Sequence, residues 1–94
     1  NSLTFADILP SDGGDIIENL SLKMTSASLY KAIDKVLNNV EKDIIVWRYG
    51  LYGNERLAQR EVATKLNISR SYVSRIEKRA LNKLADELKE HNIE

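Results

Sequence analysis

The chain contains no cysteine. Disulfides and cysteine-ligated zinc sites are therefore excluded. There is one histidine, His91, so a Ser-His-Asp set or a histidine-based metal centre has almost nothing to build on. Gly-rich phosphate loops and metal-ligand spacings are absent, and the acidic pair Asp86-Glu87 reads as solvated helix surface. These absences argue against an enzyme and call for no cofactor and no metal. No apolar run approaches the length needed to cross a bilayer, and no signal peptide is present. The chain is thus expected to have no membrane partner. Proline occurs once, at Pro10, and glycine four times. The first residues are Asn1-Ser2 rather than methionine, as expected of a piece of a longer protein.

The 94 residues suit one small domain, whose core is adequate if the fold is compact and helical. Net charge is zero, but its distribution is uneven. Residues 1–47 carry four Lys/Arg against seven Asp/Glu, a net of −3. Residues 48–83 carry nine against three, a net of +6, and residues 84–94 one against four, a net of −3. Phosphate neutralisation depends on local charge, so the middle section is the candidate for a polyanion partner.

That section contains QREVATKLNISRSYVSRIEKRALNKL, residues 59–84. Val62, Ala63 and Leu66 share one face of a short helix, with the small Ala63 where a second helix must come close. Asn67 fits the left-handed position that ends it. Ile68 plugs the turn, and Ser69 is a suitable N-cap for the second helix. Val73, Ile76, Ala80, Leu81, Leu84 and Leu88 then form one apolar stripe. The opposite face carries Arg70, Ser71, Ser74, Arg75 and Lys78. A charged helix face is most often only solvated. Here the turn chemistry and the small serines between arginines favour a helix-turn-helix that lies close in a DNA groove.

The chain divides into three zones. Residues 1–25, with Pro10 and the SDGGD stretch at 11–15, read as a partly flexible connector tail, within which Ile16–Leu22 can form a short helix. Residues 26–94 read as the folded domain, which contains the other two zones. In the first of these, Ser26 or Ser28 can cap a helix bearing Leu29, Ile33, Val36 and Leu37. Asn39 can cap a second that ends at Gly50, and Tyr52-Gly53-Asn54 is a turn. The last zone is the helix-turn-helix. The expected fold is all-α. It has four to five short helices, no strands, and a closing helix-turn-helix with a long recognition helix.

RYGL at 48–51, QREVA at 59–63 and ISRSYVSRIEKRAL at 68–81 resemble the C-terminal promoter-recognition domain, region 4, of the sigma-70 family. FADILPSDGGDIIENL resembles the acidic connector before it. ISRSYVSRIEKRAL is most similar to the mother-cell sporulation branch, the sigma-K group. The resemblance implies a bacterial, cytoplasmic, nucleoid-associated monomer. Its implied partners are double-stranded promoter DNA at the minus-35 element and the flap of the RNA polymerase core beta subunit. An anti-sigma factor is a further candidate partner. Carried over by position, Arg70, Ser71, Ser74 and Arg75 face bases. Arg48, Arg56, Arg60, Lys78 and Arg79 are candidates for phosphate. Leu29, Ile33 and Ile44 are candidates for the flap groove, against the plainer role of core residues.

Two departures from the family pattern stand out. Housekeeping members carry Glu where Ser71 stands and Gln where Arg75 stands. Glu accepts from cytosine and Gln pairs with adenine, whereas Arg favours guanine, so a different minus-35 sequence is expected. Relatives also often carry Thr where Ala58 stands, which removes the cap oxygen of a capping box while Glu61 remains. Two other readings compete. One is a helix-turn-helix regulator unattached to polymerase, dimerising through Leu81, Leu84 and Leu88, which sedimentation would reveal. The other is a protein-interaction module without a DNA role, which polyanion-sensitive binding to duplex DNA would exclude.

Overall fold

The computed structural model describes residues 2–4 and 23–91. Among the described residues four α-helices make up the body: α1 (Ser26–Val36), α2 (Asn39–Tyr49), α3 (Gln59–Leu66) and α4 (Arg70–His91). A 3-10 turn, Leu51–Gly53, follows α2. The all-α class holds. One detail departs from expectation: β1 (Ser2–Thr4) and β2 (Lys23–Thr25) pair antiparallel, with Leu3 opposite Met24. The helix expected at Ile16–Leu22 lies outside the described residues.

The helix ends follow local chemistry. At α1 the N-cap is Thr25, not Ser26 or Ser28: its Oγ1 accepts the Ser28 N–H at 3.1 Å. At α2 the cap is Asn38 rather than Asn39. Its Oδ1 accepts the Glu41 N–H at 2.9 Å, and Glu41 Oε1 accepts the Asn38 N–H at 3.0 Å. The reciprocal box selects Asn38 because the acid stands three residues on. Gly50 ends α2 at φ +65°, and a Cβ there would meet the Asn54 carbonyl oxygen at 2.9 Å. Glycine is needed both for the backbone and for the space. Tyr52 also adopts positive φ, at 54°. Its ring stacks on Tyr30 with centroids 4.2 Å apart, and its N–H donates to the Tyr30 hydroxyl at 3.3 Å.

Two apolar cores share α4. Its distal half buries Ala80, Leu81, Leu84, Ala85 and Leu88 against Leu29, Ala32 and Ile33 of α1 and Ile45, Val46 and Tyr49 of α2. Its proximal half buries Val73 and Ile76 with Ile44 of α2 and Val62 and Ala63 of α3. Trp47 packs against both cores. Each fully buried Leu or Ile contributes about 1.5–3 kcal/mol, so this shared helix is the main tie in the fold. Leu81, Leu84 and Leu88 are consumed by that packing, which removes the dimer seam they would otherwise offer.

Candidate nucleic-acid interface

The turn between α3 and α4 forms as its residues require. Asn67 adopts φ 60°, ψ 47°, and the Ile68 N–H returns to the Ala63 carbonyl at 3.0 Å. Ile68 is half-buried against the proximal core. Ser69 Oγ accepts the Tyr72 N–H at 3.1 Å, capping α4. The orientation of α4 is thereby set within a few residues.

A buried polar layer then fixes that orientation. Glu77 lies on the apolar stripe of α4, 3% exposed. Its carboxylate accepts from Arg48 Nε at 2.8 Å, the Tyr49 hydroxyl at 2.5 Å and Gln59 Nε2 at 3.0 Å. Arg48 Nη1 also donates to the Leu57 carbonyl at 3.1 Å. One acid thus gathers α2, α3 and α4. Arg48 is correspondingly withdrawn from the phosphate-contact set: it is 9% exposed, and its guanidinium is engaged inside the protein. Leu29, Ile33 and Ile44 are withdrawn from the flap groove for a similar reason. All three are at most 1% exposed and lie in the cores, so none offers a surface.

The remaining cations stand outward. Arg70, Ser71, Arg75 and Lys78 are exposed on α4, and Ser74 is half-buried. At 3.6 residues per turn these five span an arc of about 140°, opposite Val73, Ile76 and Ala80. Arg56, Arg60 and Arg79 are also exposed. Arg79 sits at the edge of the arc, where it lines an open hollow of about 280 Å³ with Asn38, Val40, Leu66, Ile68 and Tyr72. Glu41 borders the same hollow. Burial opposes ionisation of the Glu41 carboxyl. The Lys83 ammonium, the Asn38 N–H and the Arg79 charge outweigh that, and its pKa falls below 4.5.

Glu77 is absent from the residues singled out by sequence, although a signal for it is present. An acid one residue after Ile76 and four after Val73 falls on the buried stripe, where a charge requires a partner. Gln59 and Tyr49 carry no such signal, because their roles depend on the tertiary approach of α2 and α3 to α4.

The fold and its exposed face define a helix-turn-helix domain with a basic second helix. Residues 35–86 match the family model for sigma-70, region 4, and the chain belongs to that family. It is 45% identical over 93% of its length to RNA polymerase sigma-K factor of Bacillus subtilis, 29% of which it covers. It is 46% identical over 93% of its length to RNA polymerase sigma-28 factor of Bacillus thuringiensis, covering 36% of that protein. To RNA polymerase sigma-E factor of Clostridium acetobutylicum it is 42% identical over 94% of its length, covering 37%. The chain therefore spans roughly a third of the length of these relatives. No solved structure matches it significantly.

Proposed function

We propose that this chain is the promoter-recognition portion of a sporulation-type sigma factor, acting as a monomer at the nucleoid. Residues 26–94 form the reading domain, and residues 1–25 are the connector leading into it. α4 enters the major groove at the minus-35 element. Arg70, Ser71, Ser74 and Arg75 face base edges, while Arg56, Arg60, Lys78 and Arg79 neutralise phosphates. The observation that carries this reading is the exposed Arg/Ser face of α4, held opposite a buried stripe in a region 4 domain.

The polymerase beta flap is the second partner in this reading. With Leu29, Ile33 and Ile44 buried, the surfaces open to it in this reading are the hollow beside Val40, which is 45% exposed, and a second hollow lined by Ala32 and Leu88. An anti-sigma factor would compete with the flap for these surfaces. Binding, not catalysis, is the proposed activity.

Selection of duplexes from a random pool, with the chain tethered to the flap, tests the DNA reading. Arg70→Ala is expected to flatten preference at one position, at a cost of about 1–3 kcal/mol there. Arg60→Ala is expected to weaken all sequences alike and to lower the salt slope by about one. Equal, uniform effects of both substitutions would refute base reading by Arg70.

A further inference from the structure

Tyr72 is a large aromatic residue left 46% exposed on the helix that carries the reading face, and that face does not include it. Its backbone is fixed, because its N–H is held by the Ser69 cap at 3.1 Å. Its side chain borders the hollow together with Ile68 and Ile76. Three residues on, the Arg75 guanidinium lies over the Tyr72 ring, with Cζ 5.9 Å from the centroid. The spacing of three makes the two side chains neighbours on α4. A guanidinium over an aromatic face is attracted by the ring quadrupole.

We propose that Tyr72 is a specificity-determining positioning residue, whose ring holds the Arg75 guanidinium in place before DNA arrives. An unrestrained arginine loses much rotamer freedom when it forms a bidentate pair with guanine. A restrained one has lost part of it already, so its contact discriminates more sharply. Ser71 and Ser74 have no long side chain with which to fill this role. The inference rests on the reading of α4 as the base-facing helix.

Two measurements on the 94-residue chain test it. In the free protein, NMR of the Arg75 side chain should show a ring-current shift of its δ protons and restricted motion at Nε–Hε. Tyr72→Phe should keep both, and Tyr72→Leu, which preserves bulk, should lose both. On DNA, Tyr72→Leu should reduce the preference for the favoured base at the Arg75 position by about two- to fivefold, the size expected of an exposed cation–π contact. Phosphate affinity and the salt slope should not change. In an Arg75→Ala background the Tyr72 effect should vanish. Unaltered Arg75 spectra in Tyr72→Leu would overturn the inference and leave base reading by α4 intact. A uniform loss on every sequence would also overturn it, making Tyr72 a backbone contact. If the unsubstituted chain showed no sequence preference, the base-reading assignment would fail first and this inference with it.

Discussion

Replacing Glu77 by alanine should be among the most damaging single changes in this domain. Glu77 is 3% exposed, and its carboxylate takes three side-chain hydrogen bonds, from Arg48, Tyr49 and Gln59. Without it, the Arg48 guanidinium keeps its bond to the Leu57 carbonyl but loses its counter-charge inside the fold. Breaking a buried pair from one side costs about 3–5 kcal/mol, most of it from the stranded charge. Domains of this size have only about 5–15 kcal/mol in total. At roughly 4–8 °C per kcal/mol, a loss of about 3 kcal/mol lowers the midpoint by at least about 12 °C.

The pair's net value is a separate matter. Desolvating both charges offsets much of their attraction, so a well-packed apolar replacement of both is often neutral. Arg48→Met with Glu77→Leu should therefore recover most of what Glu77→Ala loses. Urea unfolding followed by far-UV circular dichroism measures all of these variants, and exposed Asp86→Ala serves as a control expected within about 0.5 kcal/mol. A Glu77→Ala loss below about 1 kcal/mol would refute the reasoning. So would a double variant as unstable as the two single losses combined.

Three further outcomes are expected. Ala58→Thr should raise stability by about 0.5–1 kcal/mol without altering base preference. Half of the box is already present, since Glu61 Oε1 accepts the Ala58 N–H at 2.7 Å, and the Glu61 N–H, which now donates to the Ala58 carbonyl at 3.0 Å, would gain a side-chain acceptor. An unchanged or lower midpoint in thermal unfolding would contradict this. Gly50→Ala should cost more than about 1 kcal/mol, because it combines a left-handed backbone with a Cβ placed 2.9 Å from the Asn54 oxygen. Unfolding of Gly50→Ala at wild-type denaturant would show that the turn relaxes freely. Acid should remove the Glu41 contribution. Its folded pKa lies below 4.5, so the stabilisation is complete above that value and is lost as pH falls through the lower folded pKa. Glu41→Gln should flatten that part of the stability–pH curve, and an unaltered slope would rule Glu41 out.

The features legible in the sequence are mostly local. Asn67, Ser69 and Gly50 each act within a few residues, and each adopts the cap or turn that its chemistry suggests. The long stripe of α4 is equally plain, since helical period links residues that are close in the chain. Ambiguity begins where neighbours offer the same chemistry, as Asn38 and Asn39 do; the acid at Glu41 is the tie-breaker. Contacts distant in sequence are harder. The strand pair joins Ser2–Thr4 to Lys23–Thr25, and nothing in either triplet announces a partner some twenty residues away. Arg48 reads as surface because charged residues usually are, yet its partner lies 29 residues on.

Arg48 also bears on how a chain of zero net charge can present a basic face. Its pairing with Glu77 removes one charge of each sign from the surface of residues 48–83, leaving eight basic against two acidic and the same net of +6. Three acids of the flanking sections are met by lysines: Asp34 by Lys42, Glu41 by Lys83 and Glu87 by Lys35, each at 2.9 Å. These three pairs tie α1, α2 and distal α4 to one another. The Asp34–Lys42 pair is exposed on both sides and adds little stability. The consequence of the three pairs is electrostatic, because they cancel negative potential that would otherwise oppose phosphate. By contrast, Arg56, Arg60, Arg70, Arg75 and Lys78 form no ion pair among the described residues. Four phosphate contacts, from Arg56, Arg60, Lys78 and Arg79, would give a salt slope of roughly −3.6 at about −0.9 per phosphate. Since Asp34 and Glu87 are each paired with a lysine, Asp34→Ala and Glu87→Ala should leave that slope where it is, whereas Arg60→Ala should reduce it by about one. A slope that moved with the flanking acids would mean that the negative ends of the chain reach the duplex.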